Sequence, residues 1–177
     1  RVMITYKDPE RSKILKLVRK IKDEREMLTL DNEAVQLFLA VKSVEKIKGD
    51  IVEVGTYKGG CSKLICEAKK KKELHLFDTF EGLPELTSKD SSKQFSKGDF
   101  KASYDYVKNY LKDYQNIHFY KGLFPSTSAP IKNKKFSFVY LDLDLYEATL
   151  ASLKFFYSRM NKGGIIMSHD YVYAGGV

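Results

Sequence analysis

The sequence predicts an α/β protein organised around a doubly wound, mostly parallel sheet. Two patterns lead to this fold class. Five short runs, at residues 51–55, 74–78, 117–121, 136–142 and 164–169, are near-continuously apolar in their middles, as strands buried on both faces are. Helix-forming stretches at 60–70, 102–113 and 146–160 lie between them, and strand alternating with helix gives parallel strands joined by right-handed crossovers. With 177 residues, and about 150 residues to a domain, the chain has room for one such sheet and no partner module.

Ahead of the first strand, residues 12–25 carry Ile14, Leu15, Leu17, Val18 and Ile21 on one face, and residues 31–47 carry Ala34, Val35, Leu37, Phe38, Val41 and Val44. Both patterns predict amphipathic helices, with Asp31 as an N-cap and Gly49 as a helix stop. The chain therefore divides into an N-terminal helical segment over 1–48 and a core over 49–177. Residues 85–99 break the alternation. They are rich in Ser, Lys and Asp and directly follow a strand's carboxyl end, the edge where ligands bind in such sheets. They read either as a lid or as a plain surface loop.

Lys and Arg number 31 against 23 Asp and Glu, a net charge of +8, with 43% hydrophobic residues. That composition is globular and excludes a disordered chain. No apolar run approaches the roughly 20 residues that span a bilayer, and the start is too charged for a signal peptide. Lys69 to Lys72, and Lys132, Lys134 and Lys135, read as solvated ends of elements. With no nucleic-acid module recognisable, no nucleic-acid partner is expected. Cys61 and Cys66 are too few for a disulfide scaffold or a structural zinc site, so reduced thiols and a cytoplasmic location are expected. The chain begins at Arg1 and stops at Gly175, Gly176 and Val177, soon after the fifth strand. It reads as a piece of a longer protein.

The chemistry gathers at strand ends. The first strand runs Ile51-Val52-Glu53-Val54-Gly55, followed by Thr56-Tyr57-Lys58-Gly59-Gly60 and a helix. Glycines there allow a sharp turn and let a ligand lie on bare main chain, and the helix start offers free N–H groups. The spacing Glu-x-Gly-x-x-x-Gly differs from the Gly-x-Gly-x-x-Gly of dinucleotide enzymes. The second strand ends at Asp78, 25 residues after Glu53, where a carboxylate can accept both ribose hydroxyls of an adenosine. Otherwise Asp78 caps a following helix. The fourth strand leads into Asp142 and Asp144, and the fifth into His169 and Asp170. Carboxylates gathered in this way repel one another unless a cation or a shared proton is present, which points to a metal site or a general-base cluster.

These residues resemble the TylF-like macrocin O-methyltransferases, a family of class I S-adenosylmethionine-dependent methyltransferases. The similar stretches are residues 49–60, 77–84, 121–127 and 141–149, together with Gly163-Gly164 and His169-Asp170-Tyr171, in the family's order across most of the chain. The resemblance implies a Rossmann-like sheet lacking its last two strands. It implies an S-adenosylmethionine site lined by Glu53, Gly55, Thr56, Tyr57, Gly59, Gly60 and Ser62, with Asp78 on the ribose. Thr79 and Phe80 would border the adenine, Gly122 to Phe124 would close its other side, and Asp142 would face the cofactor. It further implies Mg²⁺ or another divalent metal at Asp142, Asp144, His169 and Asp170, with Asp142, Asp144 or His169 serving catalysis. His169 departs from the family, where an Asp is common. Imidazole suits transition metals better than Mg²⁺, and a histidine there could equally be the general base.

The reaction so implied is methyl transfer to a hydroxyl of a sugar-containing or other small-molecule or glycan acceptor. Tyr146 and Tyr171 are candidates to border it. A catalytically silent adenosine-binding interaction module of the same fold is the alternative, against which the acidic cluster counts. The N-terminal helices pack either on the sheet or on another subunit of a homo-oligomer.

Overall fold

The computed structural model describes residues 8–91 and 93–172; Arg1 and the terminal Gly175, Gly176 and Val177 lie outside the described residues. Within them the chain forms α1 (Pro9–Glu24), α2 (Asp31–Ser43), β1 (Asp50–Val54), α3 (Gly60–Ala68), β2 (Leu74–Asp78), α4 (Tyr104–Tyr110), β3 (Ile117–Lys121), β4 (Phe136–Leu141), α5 (Tyr146–Tyr157) and β5 (Met160–Ser168). Single 3₁₀ turns occur at Ala129–Ile131 and Asp170–Val172. The five strands are all parallel, in the order β3-β2-β1-β4-β5. The order reverses direction between β1 and β4, so their carboxyl ends flank the crevice where such sheets take ligands.

Alternation along the strands divides the core into two layers. Ile51, Leu74, Leu76, Phe138 and Tyr140 face α1, α2, α3 and α4. Val52, Val54, Phe77, Val139 and Leu141 face the opposite side, with Phe156 of α5. The N-terminal helices therefore belong to the sheet's own core: Val18, Ile21, Val35 and Leu37 are fully buried. No described helix is long and apolar enough to cross a membrane.

Helix boundaries differ from expectation where caps decide them. α1 starts at Pro9, ahead of Ser12, because Asp8 accepts hydrogen bonds from the Glu10 and Arg11 amides and proline suits the first helical position. Asp31 is not the N-cap of α2. Leu30 holds that position and its N–H donates to Glu33 Oε2 over 3.0 Å, while Asp31 pairs with Lys22 at 2.7 Å. Gly49 stops no helix, since α2 has already ended at Ser43. Its φ of +113° lets the chain enter β1 against β4, where a Cβ would lie 2.8 Å from the Lys135 carbonyl oxygen.

Gly49→Ala is therefore expected to cost at least about 1–3 kcal/mol of backbone strain, with the clash added, as read by chemical denaturation. Gly98→Ala is the control. Gly98 has a similar positive φ of +86° but nothing within 4 Å, so its loss should be the smaller.

Candidate active site

The β1–α3 turn is built for close approach. Gly55 has φ +90°, and a Cβ on it would sit 1.7 Å from the carbonyl oxygen of Asp142. Only a residue without a side chain lets the ends of β1 and β4 meet there. The turn itself is tied to β2: Asp78 Oδ2 accepts the N–H groups of Thr56 (2.6 Å) and Tyr57 (2.9 Å), and Oδ1 accepts that of Phe80 (2.7 Å). Asp78 thus organises backbone on both sides of the crevice. It caps no helix, although its bond to Phe80 is the short Asx turn such a cap would use. A carboxylate offers about four lone-pair positions, so a diol held here would share them with these amides.

Above the strand ends lies a cavity of about 220 Å³. Of the residues the sequence singled out, Gly55, Thr56, Tyr57, Gly60, Asp78, Thr79, Gly122, Leu123, Phe124, Asp142, Asp144 and His169 line it. Glu53, Gly59, Ser62, Phe80 and Asp170 stand behind this lining. Glu53 and Ser62 are fully buried and hydrogen-bonded to each other. Burial pushes the Glu53 carboxyl well above the usual range, and its Oε1 has no partner among the described residues. Phe80 is buried against Tyr104.

Some lining residues carried no sequence signal. Met27, Leu28 and Thr29, between α1 and α2, form one wall. Tyr57 holds that segment by donating to Glu26 over 2.7 Å, and Thr29 lies 3.1 Å from the Cys61 sulfur. Residues 85–99 contribute through their neck. Leu83 and Gly98 amides bond to the Asp99 and Leu83 carbonyls, and Leu83, Asp99 and Phe100 line the cavity. Lys89 and Asp90 rest on α5, where Asp90 accepts the Tyr146 N–H over 2.8 Å and Lys89 pairs with Glu147. Tyr146 and Tyr171 are not on the cavity wall, and Tyr171 is 77% exposed.

At the far end of the cavity the acidic residues meet. His169 Nδ1 lies 3.3 Å from Asp142 Oδ1 and 3.1 Å from Asp170 Oδ1, and its Nε2 lies 3.2 Å from Glu33 Oε2. Asp170 is 3% exposed, and its Oδ2 accepts the amides of Leu143 (3.0 Å) and Asp144 (2.9 Å). Those bonds hold Asp144 at φ +61°, a left-handed conformation that Asp tolerates better than most residues, with the residue at the cavity.

The sequence pattern that defines the Macrocin-O-methyltransferase (TylF) family matches residues 27–177. The chain belongs to that family. It is 25% identical over 157 residues to the 8-demethyl-8-(2,3-dimethoxy-alpha-L-rhamnosyl)-tetracenomycin-C 4'-O-methyltransferase of Streptomyces olivaceus, a match that covers 80% of this chain and 59% of that protein. Among solved structures, the calicheamicin methyltransferase CalS11 aligns with a TM-score of 0.71 and 19% identity, over 95% of this chain and 80% of that one. The O-methyltransferase NovP aligns at 0.73 and 20% identity, over 92% and 85%. These likenesses show that the fold, with its five-stranded parallel sheet, is shared with solved methyltransferases.

In this TylF-family chain the acidic cluster is held together by charge compensation. Asp142 and Asp170 push the His169 imidazole up to about 11, so without a metal it carries a positive charge between them. Burial raises Asp142 despite the imidazole's opposing pull. Burial, reinforced by Asp170 and Asp142, lifts Asp144 to about 7. The donors of Asp142, His169 and Asp170 all lie within 4.8 Å of one another, and the Nδ1–oxygen separations of 3.1 and 3.3 Å are close to the roughly 3 Å between adjacent ligands of an ion bound at about 2.1 Å. The set therefore fits a divalent cation, and its nitrogen favours a transition ion over Mg²⁺. Asp144 stands outside this set.

The Asp144 shift has a sign that calorimetry can read. The unfolded carboxyl loses its proton near its ordinary 3.8, the folded one near 7, so the folded state binds more protons between these values and loses stability as pH rises through them. In chelator-treated buffer, Asp144→Asn should therefore match the parent chain near pH 4 and exceed its melting temperature by a margin that grows to pH 7 and then levels.

Proposed function

We infer that this chain transfers the methyl group of S-adenosylmethionine to a hydroxyl on a sugar unit of a small-molecule acceptor. The observation that carries this is a single cavity whose wall holds both the Gly55–Tyr57 turn with Asp78 and, at the other end, Asp142, Asp144 and His169. A cofactor cradle and a proton-handling cluster in one cavity is what methylation of a hydroxyl requires. Two similar proteins point to the acceptor class. The tetracenomycin relative is a 4'-O-methyltransferase whose named substrate bears a rhamnosyl group, and CalS11 is a TDP-rhamnose 3'-O-methyltransferase of calicheamicin biosynthesis.

Bound S-adenosylmethionine supplies an electrophilic methyl group, and S-adenosylhomocysteine is the product when the carbon–sulfur bond breaks and the carbon–oxygen bond forms. The chain's residues do the rest. Asp78 takes the ribose hydroxyls, and bare backbone at Gly55 lets the cofactor lie against the crevice floor. Phe77 and Phe124, packed edge to face at 5.1 Å, form an apolar wall for the adenine. Asp144 accepts the acceptor's proton, because a carboxylate that titrates near 7 is both available and basic enough at neutral pH. Asp142, His169 and Asp170 would hold a divalent cation, whose charge would lower the acceptor hydroxyl's pKa and fix its direction. Leu83, Asp99 and Phe100 wall the cradle side of the cavity.

The test is calorimetric titration with S-adenosylhomocysteine, with and without Mn²⁺ or Mg²⁺. Saturable one-to-one binding is expected, weakened at least about tenfold by Asp78→Ala, as loss of a charged hydrogen-bonding group predicts. Absence of binding by the folded chain, its melting curve recorded alongside, would contradict the cofactor assignment.

A further inference from the structure

The imidazole of His169 has two nitrogens, and the structure gives each a different neighbourhood. Nδ1 faces the carboxylates of Asp142 and Asp170 at 3.3 and 3.1 Å. Nε2 points the opposite way, toward Glu33 Oε2 at 3.2 Å. Glu33 comes from the first turn of α2, 136 residues away in sequence, and its Oε2 also accepts the Leu30 N–H at 3.0 Å. Its side chain is only 22% exposed.

We propose that Glu33 is a positioning residue for His169, fixing the ring so that Nε2 carries a hydrogen and Nδ1 is the atom presented to Asp142 and Asp170. The assignment rests on the reading of that cluster as the acceptor-facing centre. Three physical arguments support it. A carboxylate oxygen that already accepts an amide hydrogen can meet Nε2 favourably only as a second acceptor, so the Nε2 hydrogen is held in place. A half-turn of the ring about its Cβ–Cγ bond would exchange Nε2 for a carbon and forfeit the bond to Glu33, so the ring's orientation is held as well. A histidine that ligates a metal commonly donates its other N–H to a carboxylate in this manner, and a histidine that handles a proton needs the same fixed tautomer.

The arrangement also gives α2 a task beyond packing. The bond from Leu30 to Glu33 anchors the chain just after Met27, Leu28 and Thr29, which line the cavity. One carboxylate therefore joins the helix start, a wall of the cavity and the ring at the far end of that cavity. Asp142 and Asp170, which lie at the ends of β4 and β5, are fixed by the sheet, whereas the ring between them gains its second restraint from the helical layer.

The direct readout is the His169 ring itself, in metal-free chain labelled with ¹⁵N-histidine and observed by long-range ¹H–¹⁵N correlation. An exchange-protected, downfield Nε2–H is expected in the parent chain, lost in Glu33→Ala and retained with a smaller downfield shift in Glu33→Gln, whose amide oxygen still accepts. Melting curves of both variants accompany the spectra. A protected Nε2–H that persists unchanged in folded Glu33→Ala, or is absent from the parent, overturns the assignment. If Glu33→Ala does not fold, an unchanged resonance in Glu33→Gln overturns it equally. Mn²⁺ titration by electron paramagnetic resonance provides the second arm, with affinity expected to fall about tenfold in Glu33→Ala. Unaltered affinity there, with His169→Ala losing it, counts against Glu33 and leaves the metal centre standing. Failure of the parent to bind Mn²⁺ counts against the metal centre alone, because the ring resonance decides the role of Glu33 by itself.

Discussion

The carboxyl ends of β1 and β4 approach so closely that a single methyl group on Gly55 would overlap the main chain of Asp142. Everything else at the site depends on that contact. It brings the cradle turn and the acidic strand end to one crevice, at the point where the strand order reverses between β1 and β4. The β1 turn is then held from the other side by Asp78, which ties two of its amides to the end of β2. Close approach on one flank and hydrogen bonding on the other leave the turn little freedom, which suits a surface that must recognise a ligand through its backbone.

Charge is the second organising element. Asp142, Asp144, Asp170 and Glu33 cluster about one imidazole, and such a set is tolerable in a partly desolvated crevice only because His169 can compensate it. Asp170 has a separate structural part to play. By accepting the Leu143 and Asp144 amides it shapes the turn after β4 and holds Asp144 in its left-handed conformation. A buried carboxylate on β5's side thus sets the posture of the half-buried one on β4's side, and burial with like-charged neighbours then raises Asp144 to about 7.

β1, β2 and β4 were legible because burial on both faces leaves a near-continuous apolar run, whereas the edge strands β3 and β5 are only partly buried and were found by their alternation with helices. The strand-end rule for parallel sheets picked out Asp78, Asp142 and His169. Glu53 shows the limit of that rule. It lies two residues before Gly55 on an ascending strand, roughly 6–7 Å below the edge, and it bonds Ser62 inside the core instead of lining the cavity. Met27 to Thr29 and Glu33 were not legible at all. Their roles come from contacts between distant parts of the chain, 32 residues apart for Thr29 with Cys61 and 136 for Glu33 with His169, and an acid in a helix's first turn looks the same whether it caps the helix or reaches a histidine. The start of α1 and the N-cap of α2 were misjudged for a local reason: Asp8-Pro9 and Leu30 with Glu33 set them, and periodicity alone cannot see caps.

In the proposed function, cofactor and acceptor chemistry share the crevice that Gly55 and Asp142 create. A crystal structure of the chain with S-adenosylhomocysteine tests this most directly. The expected result is the ribose at Asp78, the adenine against Phe77 and Phe124, and the sulfur on the side of the cavity that faces Asp142 and Asp144. A nucleoside bound elsewhere, or a sulfur directed away from those aspartates, would contradict it.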